Sequence, residues 1–221
     1  MARVFAIGDV HGCSKTFRKL LTDQISIRKS DEVFCVGDYI DRGPDSKGVV
    51  DFILELRNEG FQIHTLRGNH EQLMLESTED SESLKLWFEN GGKSTLSSFG
   101  VSSYADLDLQ YREFFEETQY YAIKDKFIFV HAGLDWYADD PFWNIDAMLW
   151  TRDTYIDKRK LGDRVVVHGH TPLPKEVILK QTGPNINIDG GCVYPHVEGY
   201  GYLVALEVHE QKYYIVRNAE M

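Results

Sequence analysis

Four short glycine-containing segments have the residue types that bind metal ions or transfer protons. They are Gly8–Gly12 (GDVHG), Gly37–Gly43 (GDYIDRG), Arg67–Glu71 (RGNHE) and Gly169–Thr171 (GHT). Each of the first three follows an apolar run, so each is predicted to begin where a strand ends. Together they supply carboxylates, imidazoles, an amide and an arginine, which is the set that a two-metal phosphoryl hydrolase requires. One segment alone is weak evidence, whereas four in order along the chain predict a catalytic site.

The spacing of the carboxylates and imidazoles predicts a site for two cations. Asp9 and His11 lie two positions apart, and residues i and i+2 of an extended segment point to the same face. Asp38 follows the second predicted strand with a carboxylate that can bridge two metals, and Asn69 follows the third with a neutral amide oxygen. Because imidazole favours transition metals, this set suits Mn, Fe or Zn better than Ca or Mg. Two further histidines each end a later apolar run, and the full set of predicted ligands is Asp9, His11, Asp38, Asn69, His131 and His170.

Four other residues are predicted to handle the proton and the phosphate. His70 adjoins Asn69, so its side chain is expected near the metals as a general acid rather than as a ligand. Asp41 could orient this imidazole and hold it protonated. Arg42 and Arg152 are candidate phosphate-binding residues because a guanidinium binds phosphoryl oxygens in a bidentate manner. A purely structural role is the alternative for His70, and a surface ion pair fits Arg152 equally well.

Strands and helices are predicted to alternate up to residue 70. This repetition predicts parallel strands joined by right-handed crossovers. The carboxyl ends of such strands are where open α/β sheets place ligands, and the first three motifs lie there. The predicted elements are strands Arg3–Ile7, Val33–Val36 and Phe61–Leu66, and helices over residues 14–23 and 46–59 with Ser14 and Ser46 as N-caps.

The alternation of strands and helices ends at residue 70, and residues 71–120 are predicted to be helical and to form a cap beside the site. We expect a single domain over residues 1–221. The segment 71–120 has 11 acidic residues and 3 basic ones. The acidity is typical of a solvated helical face, or of a rim that favours basic peptides and slows the approach of polyanions. Beyond it we expect a β-hairpin over residues 120–130 and a loop with a short helix over residues 136–150. Later strands are predicted at Arg164–Val167, Glu176–Leu179, Ile186–Ile188, Tyr202–Val208 and Tyr213–Val216.

The bulk properties suit one compact domain of 221 residues and disfavour several classes of partner. A net charge of −11 disfavours nucleic-acid binding, which requires clustered Lys and Arg. No apolar run approaches the ~20 residues of a membrane span, and no signal-peptide pattern precedes the first strand. The 3 cysteines are widely spaced and fit a reducing compartment. We therefore expect a cytoplasmic protein with no nucleic-acid or membrane partner.

The motifs GDVHG, GDYIDRG and RGNHE, with HAG at 131–133 and GHTP at 169–172, resemble those of the phosphoprotein phosphatase family within the calcineurin-like metallophosphoesterases. The chain length and the segments Leu149–Arg152 and Ile188–Gly191 are similar to those of small bacterial and bacteriophage serine/threonine phosphatases, including that of phage lambda. This resemblance implies an α/β fold with α+β character, namely a β-sandwich of two mixed sheets flanked by helices. It therefore replaces the simpler expectation of an open doubly wound sheet.

The resemblance also implies a role for each matched position. His70 would protonate the leaving alkoxide with Asp41 as its partner, and Arg42 and Arg152 would bind the phosphate. A metal-bridging hydroxide would attack phosphorus directly, without a phosphoenzyme. Two divalent ions are expected, most simply Mn, with Fe or Zn as alternatives. The ligands implied for one ion are Asp9, His11 and Asp38, and those for the other are Asp38, Asn69, His131 and His170.

The implied function is removal of phosphate from phosphoserine or phosphothreonine in a protein or peptide. Phosphotyrosine and, in vitro, small phosphomonoesters are further expected substrates. The alternative is hydrolysis of symmetrical dinucleoside tetraphosphates on the same metal site. Enzymes of that kind often lack the second Asp of GDYIDRG, so Asp41 favours phosphomonoesters. A non-catalytic binding module is disfavoured because all ligand positions and His70 are present.

Overall fold

The structure is a computed structural model that describes residues 2–220. Within this range, two β-sheets face each other and helices cover their outer surfaces. The strands are β1 (Val4–Ile7), β2 (Glu32–Cys35), β3 (Gln62–Thr65), β4 (Tyr121–Lys124), β5 (Phe127–Val130), β6 (Val165–His168), β7 (Asn185–Asn187), β8 (Tyr202–Glu207) and β9 (Lys212–Arg217). One sheet has the order β3-β2-β1-β8-β9, and the other has the order β4-β5-β6-β7.

Both sheets are mixed. In the first, β1, β2 and β3 are parallel, and β8 and β9 continue the sheet in antiparallel pairs. In the second, β5, β6 and β7 are parallel, and β4 forms an antiparallel hairpin with β5. The parallel order of the first three strands and the hairpin over residues 120–130 are therefore confirmed. The sandwich of two mixed sheets that the family resemblance implied is confirmed as well.

Side-chain alternation along the strands separates two apolar layers. In β1, Val4 and Ala6 lie in the cluster between the two sheets, whereas Phe5 and Ile7 pack against the helices. Successive side chains of a strand point to opposite faces, so a strand buried on both faces is apolar throughout. This is why the predicted strands read as continuous apolar runs.

The helices lie on the outer faces of the sheets. A π-helical turn over Leu20–Ile25 extends the first helix, and a 3₁₀ turn covers Tyr104–Asp106. The α-helices are α1 (Ser14–Lys19), α2 (Ser46–Asn58), α3 (Asn69–Glu76), α4 (Ser81–Glu89), α5 (Gly92–Phe99), α6 (Leu109–Glu116), α7 (Ile145–Trp150), α8 (Lys158–Leu161) and α9 (Lys175–Ile178).

The segment predicted as a helical cap contains helices α3 to α6. Its buried residues Trp87, Phe114 and Phe115 belong to the same apolar cluster as Phe17 of α1 and Ile53 of α2. The cap therefore extends the helical layer on the outer face of the first sheet and shares its core.

One predicted strand was wrong. Residues Glu176–Leu179 lie largely in helix α9, because the Pro174 carbonyl accepts hydrogen bonds from the amides of Val177 and Ile178. Ile178 is buried, whereas Val177 and Leu179 are exposed on either side of it. The sequence alternates in hydropathy only weakly here, and the turn begun at Pro174 decides the conformation.

The two predicted N-caps were each wrong by one residue. The N-cap residue of α1 is Cys13, whose side chain makes no capping hydrogen bond. The cap of α2 is Asp45, whose carboxylate accepts a hydrogen bond from Gly48 N at 2.9 Å. Asp and Ser are comparable N-cap residues, so sequence alone does not choose between Asp45 and Ser46.

The described residues also bear on two expectations drawn from composition. Across residues 2–220, no helix has both the length and the apolar character needed to cross a membrane. The three cysteines, Cys13, Cys35 and Cys192, are free and buried. The described structure therefore has no disulfide among them.

The contact between the two sheets leads to a stability prediction. Phe34 of β2 stacks on Phe129 of β5 with ring centroids 4.3 Å apart and an interplanar angle of 4°. Phe34→Ala should lower the free energy of unfolding by about 3–5 kcal/mol, because it removes a buried ring and leaves a cavity. Urea denaturation followed by circular dichroism measures this loss. Leu109→Ala, at an exposed position, should change stability by about 0.5 kcal/mol or less. Equal effects for the two variants would contradict the prediction.

Candidate active site

The parallel strands of both sheets end at one polar cluster. The carboxyl ends of parallel strands meet at one edge of a sheet, so residues that follow them are brought together. Here the edges of both sheets contribute. The residues that follow β1, β2, β3, β5, β6 and β7 are, in that order, Asp9, Asp38, Asn69, His131, His170 and Asp189.

Asp38 lies at the centre of this cluster. Its carboxylate is 3.4 Å from His11 Nε2, 3.5 Å from His131 Nε2 and 4.0 Å from His70 Nε2. Two groups of donor atoms lie within 4.8 Å of one another, one from His11, Asp38 and His70 and one from Asp9, Asp38 and His131. Burial alone would raise the pKa of Asp38, but the surrounding imidazoles hold it well below its usual value. Asp38 is thus shared by both groups, as a bridging ligand would be.

The ligands predicted for the second ion also converge. Asn69 Oδ1 is 2.9 Å from His131 Nε2 and 2.9 Å from His170 Nδ1. The two imidazole nitrogens are 3.2 Å apart. The backbone N–H of His170 donates to both oxygens of Asp9, at 3.0 and 3.2 Å. Side chains from three strand ends therefore meet within direct contact distance.

The histidines are oriented as metal ligands are. His11 Nδ1 lies 2.8 Å from the Ile40 carbonyl, and His131 Nδ1 lies 3.0 Å from the Val36 carbonyl. A carbonyl oxygen only accepts, so each Nδ1 carries a proton and each Nε2 presents a lone pair to the cluster. Metal-binding histidines use this arrangement, in which the second ring nitrogen fixes the tautomer. The buried Nε2 of His170 has no hydrogen-bond partner among the described residues.

The charge of the cluster also fits divalent cations. Asp9, Asp38 and Asp189 are each only 2% exposed. Burial and mutual repulsion raise the pKa of Asp9 well above its usual value. Burial and the charge of Asp38 raise the pKa of Asp189 to about 7, against a hydrogen bond from Gly191 N. Buried carboxylates are stable as anions when they are paired with cations, and the oxygen and imidazole donors suit divalent ions.

His70 and Asp41 form a buried pair beside Asp38. His70 Nδ1 is 2.7 Å from Asp41 Oδ2, and both side chains are buried. Trp87 Nε1 donates to the two oxygens of Asp41 at 3.0 and 3.1 Å, and Thr95 Oγ1 donates to Oδ1 at 2.6 Å. Burial opposes protonation of His70, but attraction by Asp38 and Asp41 outweighs it and raises the His70 pKa. The arrangement can therefore orient an imidazole and keep a proton on it.

The two predicted phosphate-binding arginines occupy different places. Arg42 Nη1 is 2.8 Å from His11 Nε2, so its exposed side chain reaches the cluster directly. Arg152 is exposed and donates from Nη1 to Thr171 Oγ1 at 2.9 Å, one residue beyond His170. The structure thus brings the predicted ligands, the His70–Asp41 pair and Arg42 into one contact network. Arg152 lies at its rim.

Several residues of this site have a left-handed backbone. Non-glycine residues rarely adopt positive φ, and each instance costs about 1–3 kcal/mol, so it persists only where the surroundings fix it. Backbone hydrogen bonds supply such constraints, for example from His11 N to the Asp38 carbonyl at 2.8 Å and from Asp41 N to Thr95 Oγ1 at 2.9 Å. The residues and their φ values are His11 (45°), Asp38 (54°), Asp41 (68°), Arg42 (67°) and His170 (69°).

Glu71 fixes the loop that presents Asp38. Its buried carboxylate accepts hydrogen bonds from Asp38 N and Tyr39 N, both at 2.8 Å, and from Gly68 N at 2.9 Å. A Cβ atom on Gly68 would collide with the amide and carboxylate of Asp38. Glu71 and Gly68 together join the loop after β2 to the loop after β3.

Sequence reasoning missed four residues of this network. Glu71 lies inside RGNHE, and Asp189 follows a predicted strand, so both had a signal that could have identified them. Trp87 and Thr95 had none, since their contact with Asp41 depends on how the cap folds. His168 lies outside the ligand groups, with Nδ1 3.2 Å from the next residue's carbonyl, and burial lowers its pKa to about 4.

Comparisons with known proteins identify a family and two kinds of relative. The sequence profile of calcineurin-like phosphoesterases matches residues 2–206. Serine/threonine-protein phosphatase 1 of Salmonella typhimurium is 31% identical over 200 residues, which cover 86% of this chain and 87% of that protein. The asymmetrical bis(5'-nucleosyl)-tetraphosphatase PrpE of Geobacillus thermodenitrificans is 26% identical over 219 residues, with 85% of each chain covered.

A solved structure agrees in fold. The cold-active protein-tyrosine phosphatase of a psychrophilic Shewanella species superposes with a TM-score of 0.72 at 17% identity. The superposition covers 100% of this chain and 79% of the other. At this level of identity the likeness concerns the fold alone.

The contacts of Glu71 predict an effect on metal binding. Glu71→Gln should weaken binding of Mn²⁺ by about 10–100-fold, as loss of residues that support metal ligands does. The reason is that a Gln amide has one acceptor oxygen, and its NH₂ group would face backbone N–H donors. Calorimetric titration of metal-stripped protein measures the affinity, with circular dichroism as a check on folding.

Glu76→Gln is the matched control for this variant. Glu76 lies in the same helix, and its carboxylate accepts a hydrogen bond from Gln72 Nε2 outside the polar cluster. Its replacement should leave Mn²⁺ affinity as in wild type. Wild-type affinity in Glu71→Gln would mean that these three hydrogen bonds do not position Asp38.

Proposed function

Because the chain belongs to the calcineurin-like phosphoesterases, we propose that it is a metal-dependent phosphomonoesterase that removes phosphate from phosphoserine and phosphothreonine in proteins. Phosphotyrosine and small phosphomonoesters would be further substrates. The 31% identical relative that is named as a serine/threonine-protein phosphatase supports this choice.

The buried His70–Asp41 pair is the observation that carries the proposal. Release of a serine or threonine side chain produces an alkoxide, which is a poor leaving group unless it receives a proton. A phosphoanhydride instead releases a stabilised phosphate or nucleotide anion, which needs a proton much less. A protonated imidazole held beside the cluster is therefore more useful to a phosphomonoesterase.

In the proposed hydrolysis, different residues donate the proton, bind the phosphate and hold the metal ions. His70 donates a proton from Nε2 to the leaving oxygen, and Asp41 holds the ring through Nδ1. Arg42, beside His11, and Arg152, at the rim beside Thr171, bind the phosphate oxygens. Two divalent cations, when bound, supply a water-derived nucleophile and neutralise charge that develops on phosphate. Their proposed ligands are Asp9, His11, Asp38, Asn69, His131 and His170.

Manganese is the cation we propose, because the mixed set of carboxylates, amide and imidazoles suits it, with Fe or Zn as alternatives. We also propose a cytoplasmic location. The free thiols of Cys13, Cys35 and Cys192 support it, since cysteines remain reduced in that compartment.

Hydrolysis of dinucleoside tetraphosphates is the second candidate. The relative named as an asymmetrical bis(5'-nucleosyl)-tetraphosphatase supports it, since 85% of each chain is covered at 26% identity. The same metal cluster would serve such a reaction. The two candidates differ in the leaving group and in what must be bound beside the phosphate.

The two candidates predict opposite substrate preferences. Metal-stripped protein reconstituted with Mn²⁺ should hydrolyse a phosphoserine peptide with a higher kcat/KM than diadenosine tetraphosphate. Release of phosphate and chromatography of nucleotides measure the two rates side by side. Faster cleavage of the dinucleotide would overturn the proposed function.

His70→Ala is the matching variant for this comparison. It should lower kcat for the phosphopeptide by about 10²-fold or more, since the leaving alkoxide loses its proton donor. Bound metal, measured by atomic absorption, should remain at the wild-type level. Loss of metal from His70→Ala would make His70 a ligand instead.

The support of Asp41 by Trp87 predicts coupling between the cap and the chemical step. Trp87→Phe keeps a buried aromatic ring, although a smaller one, and removes the Nε1–H donor. It should lower kcat about 3–30-fold while metal content stays unchanged. In a His70→Ala background the same change should have little further effect, because Asp41 then has no imidazole to hold. Additive losses in the double variant would show that Trp87 acts through general stability.

A further inference from the structure

A groove lined by aromatic rings and carboxylates lies beside the candidate active site. Its volume is about 360 Å³, and residues from 134 to 155 form it. Trp150 forms one wall, and its ring meets the ring of His170 edge-on with centroids 6.2 Å apart. The groove therefore borders the metal cluster, and a substrate with its phosphate at the cluster can extend into it.

Three of the four aromatic residues that line the groove are exposed, and Trp136 is buried. Tyr137 and Tyr155 stack with centroids 5.1 Å apart and an interplanar angle of 21°, although they are 73% and 48% exposed. Trp150 is 41% exposed. Clustered exposed aromatics rimmed by polar groups are typical of binding surfaces. Their faces are electron-rich and attract cations.

The charged residues that line the groove all have one sign. They are Asp135, Asp146 and Asp153, and no Lys, Arg or His among the described residues lines it. Asp135 accepts from Asn144 Nδ2, and Asp153 accepts from Tyr137 Oη. Asp146 is exposed and has neither a hydrogen bond nor an ion pair from its side chain within residues 2–220. Asp146 is therefore the carboxylate that is free to bind a cation.

We propose that this groove binds a lysine or arginine side chain that flanks the phosphorylated residue of a peptide substrate. The aliphatic stem and cationic head would lie along the rings of Tyr155 and Trp150, and Asp146 would pair with the charge. The inference rests on the proposed function, and it specifies the substrates as phosphorylated sites with basic neighbours.

A nucleobase fits this groove less well. Aromatic rings stack on any base, but the phosphate chain attached to that base is strongly anionic. Lys160 Nζ donates a hydrogen bond to the Trp136 carbonyl near Asp135 and offsets part of the negative charge of the groove. The unpaired carboxylate of Asp146 would still repel the phosphate chain, whereas it attracts a basic peptide. The charge of the groove thus favours the cationic side chain.

A peptide series tests the proposal with the Mn²⁺-loaded full chain. One phosphoserine peptide has only alanine around the phosphoserine, and its relatives place a single arginine at each of three positions on either side. At least one arginine position should raise kcat/KM about 10-fold over the alanine peptide, as a cation–π contact with a carboxylate partner allows. Diadenosine tetraphosphate is assayed in parallel.

Two groove variants and two matched controls assign the effect. Asp146→Asn and Tyr155→Ala should each reduce the ratio of kcat/KM for the arginine peptide to that for the alanine peptide. Asp139→Asn and Trp143→Ala remove a charge and an exposed ring of the same segment outside the groove, and they should keep the wild-type ratio. Salt should weaken the preference in wild type more than in Asp146→Asn.

The outcomes separate this inference from the proposed function. Equal kcat/KM for all peptides, or a preference that survives both groove variants, would overturn the groove while the phosphatase stands. A loss in Tyr155→Ala that is confined to diadenosine tetraphosphate would assign the groove to a base and overturn the inference. If only the dinucleotide is hydrolysed, the proposed function fails and the groove inference fails with it.

Discussion

The carboxylate of Asp38 is the point on which the rest of the site depends. It is buried among the imidazoles of His11, His70 and His131, and it belongs to both groups of candidate metal ligands. A buried anion is stable only if positive charge or hydrogen-bond donors surround it. The strand ends that converge from both sheets supply the imidazoles that meet this requirement. Glu71 has a different role: its carboxylate accepts a hydrogen bond from Asp38 N and so fixes the backbone that presents the anion.

The helices of residues 71–120 belong to the same arrangement. Trp87 of α4 and Thr95 of α5 donate hydrogen bonds to the Asp41 carboxylate, which also contacts His70. Asp41 is thereby fixed by groups from two parts of the chain, and its left-handed backbone conformation is maintained. Helices that pack on the outer face of one sheet thus determine the orientation of a side chain in the polar cluster.

The sequence predicts the parts of this structure that depend on patterns within a few neighbouring residues. Asp9, Asp38 and Asn69 lie directly after apolar runs, and the geometry of parallel strands brings such positions together. Asp41 is separated in sequence from Trp87 by 46 positions and from Thr95 by 54, so no local sequence pattern predicts these contacts. The strand predicted at residues 176–179 from their apolar character was wrong, because the turn that begins at Pro174 makes this segment helical. The aromatic and acidic groove is likewise formed by several segments between residues 134 and 155. No single motif therefore predicts which chemical group of a substrate it would bind.

The residues of the site are far apart in the sequence, and this separation affects when the site can form during synthesis and folding. The hydrogen bond from His170 N to Asp9 joins residues 161 positions apart. Contacts between distant segments form slowly, because closing a long loop loses chain entropy before the contact contributes. A growing polypeptide would expose the first carboxylates and histidine well before their partners from the second sheet are synthesised. The complete cluster therefore requires the chain through residue 170, and shorter chains hold only part of the candidate ligand set.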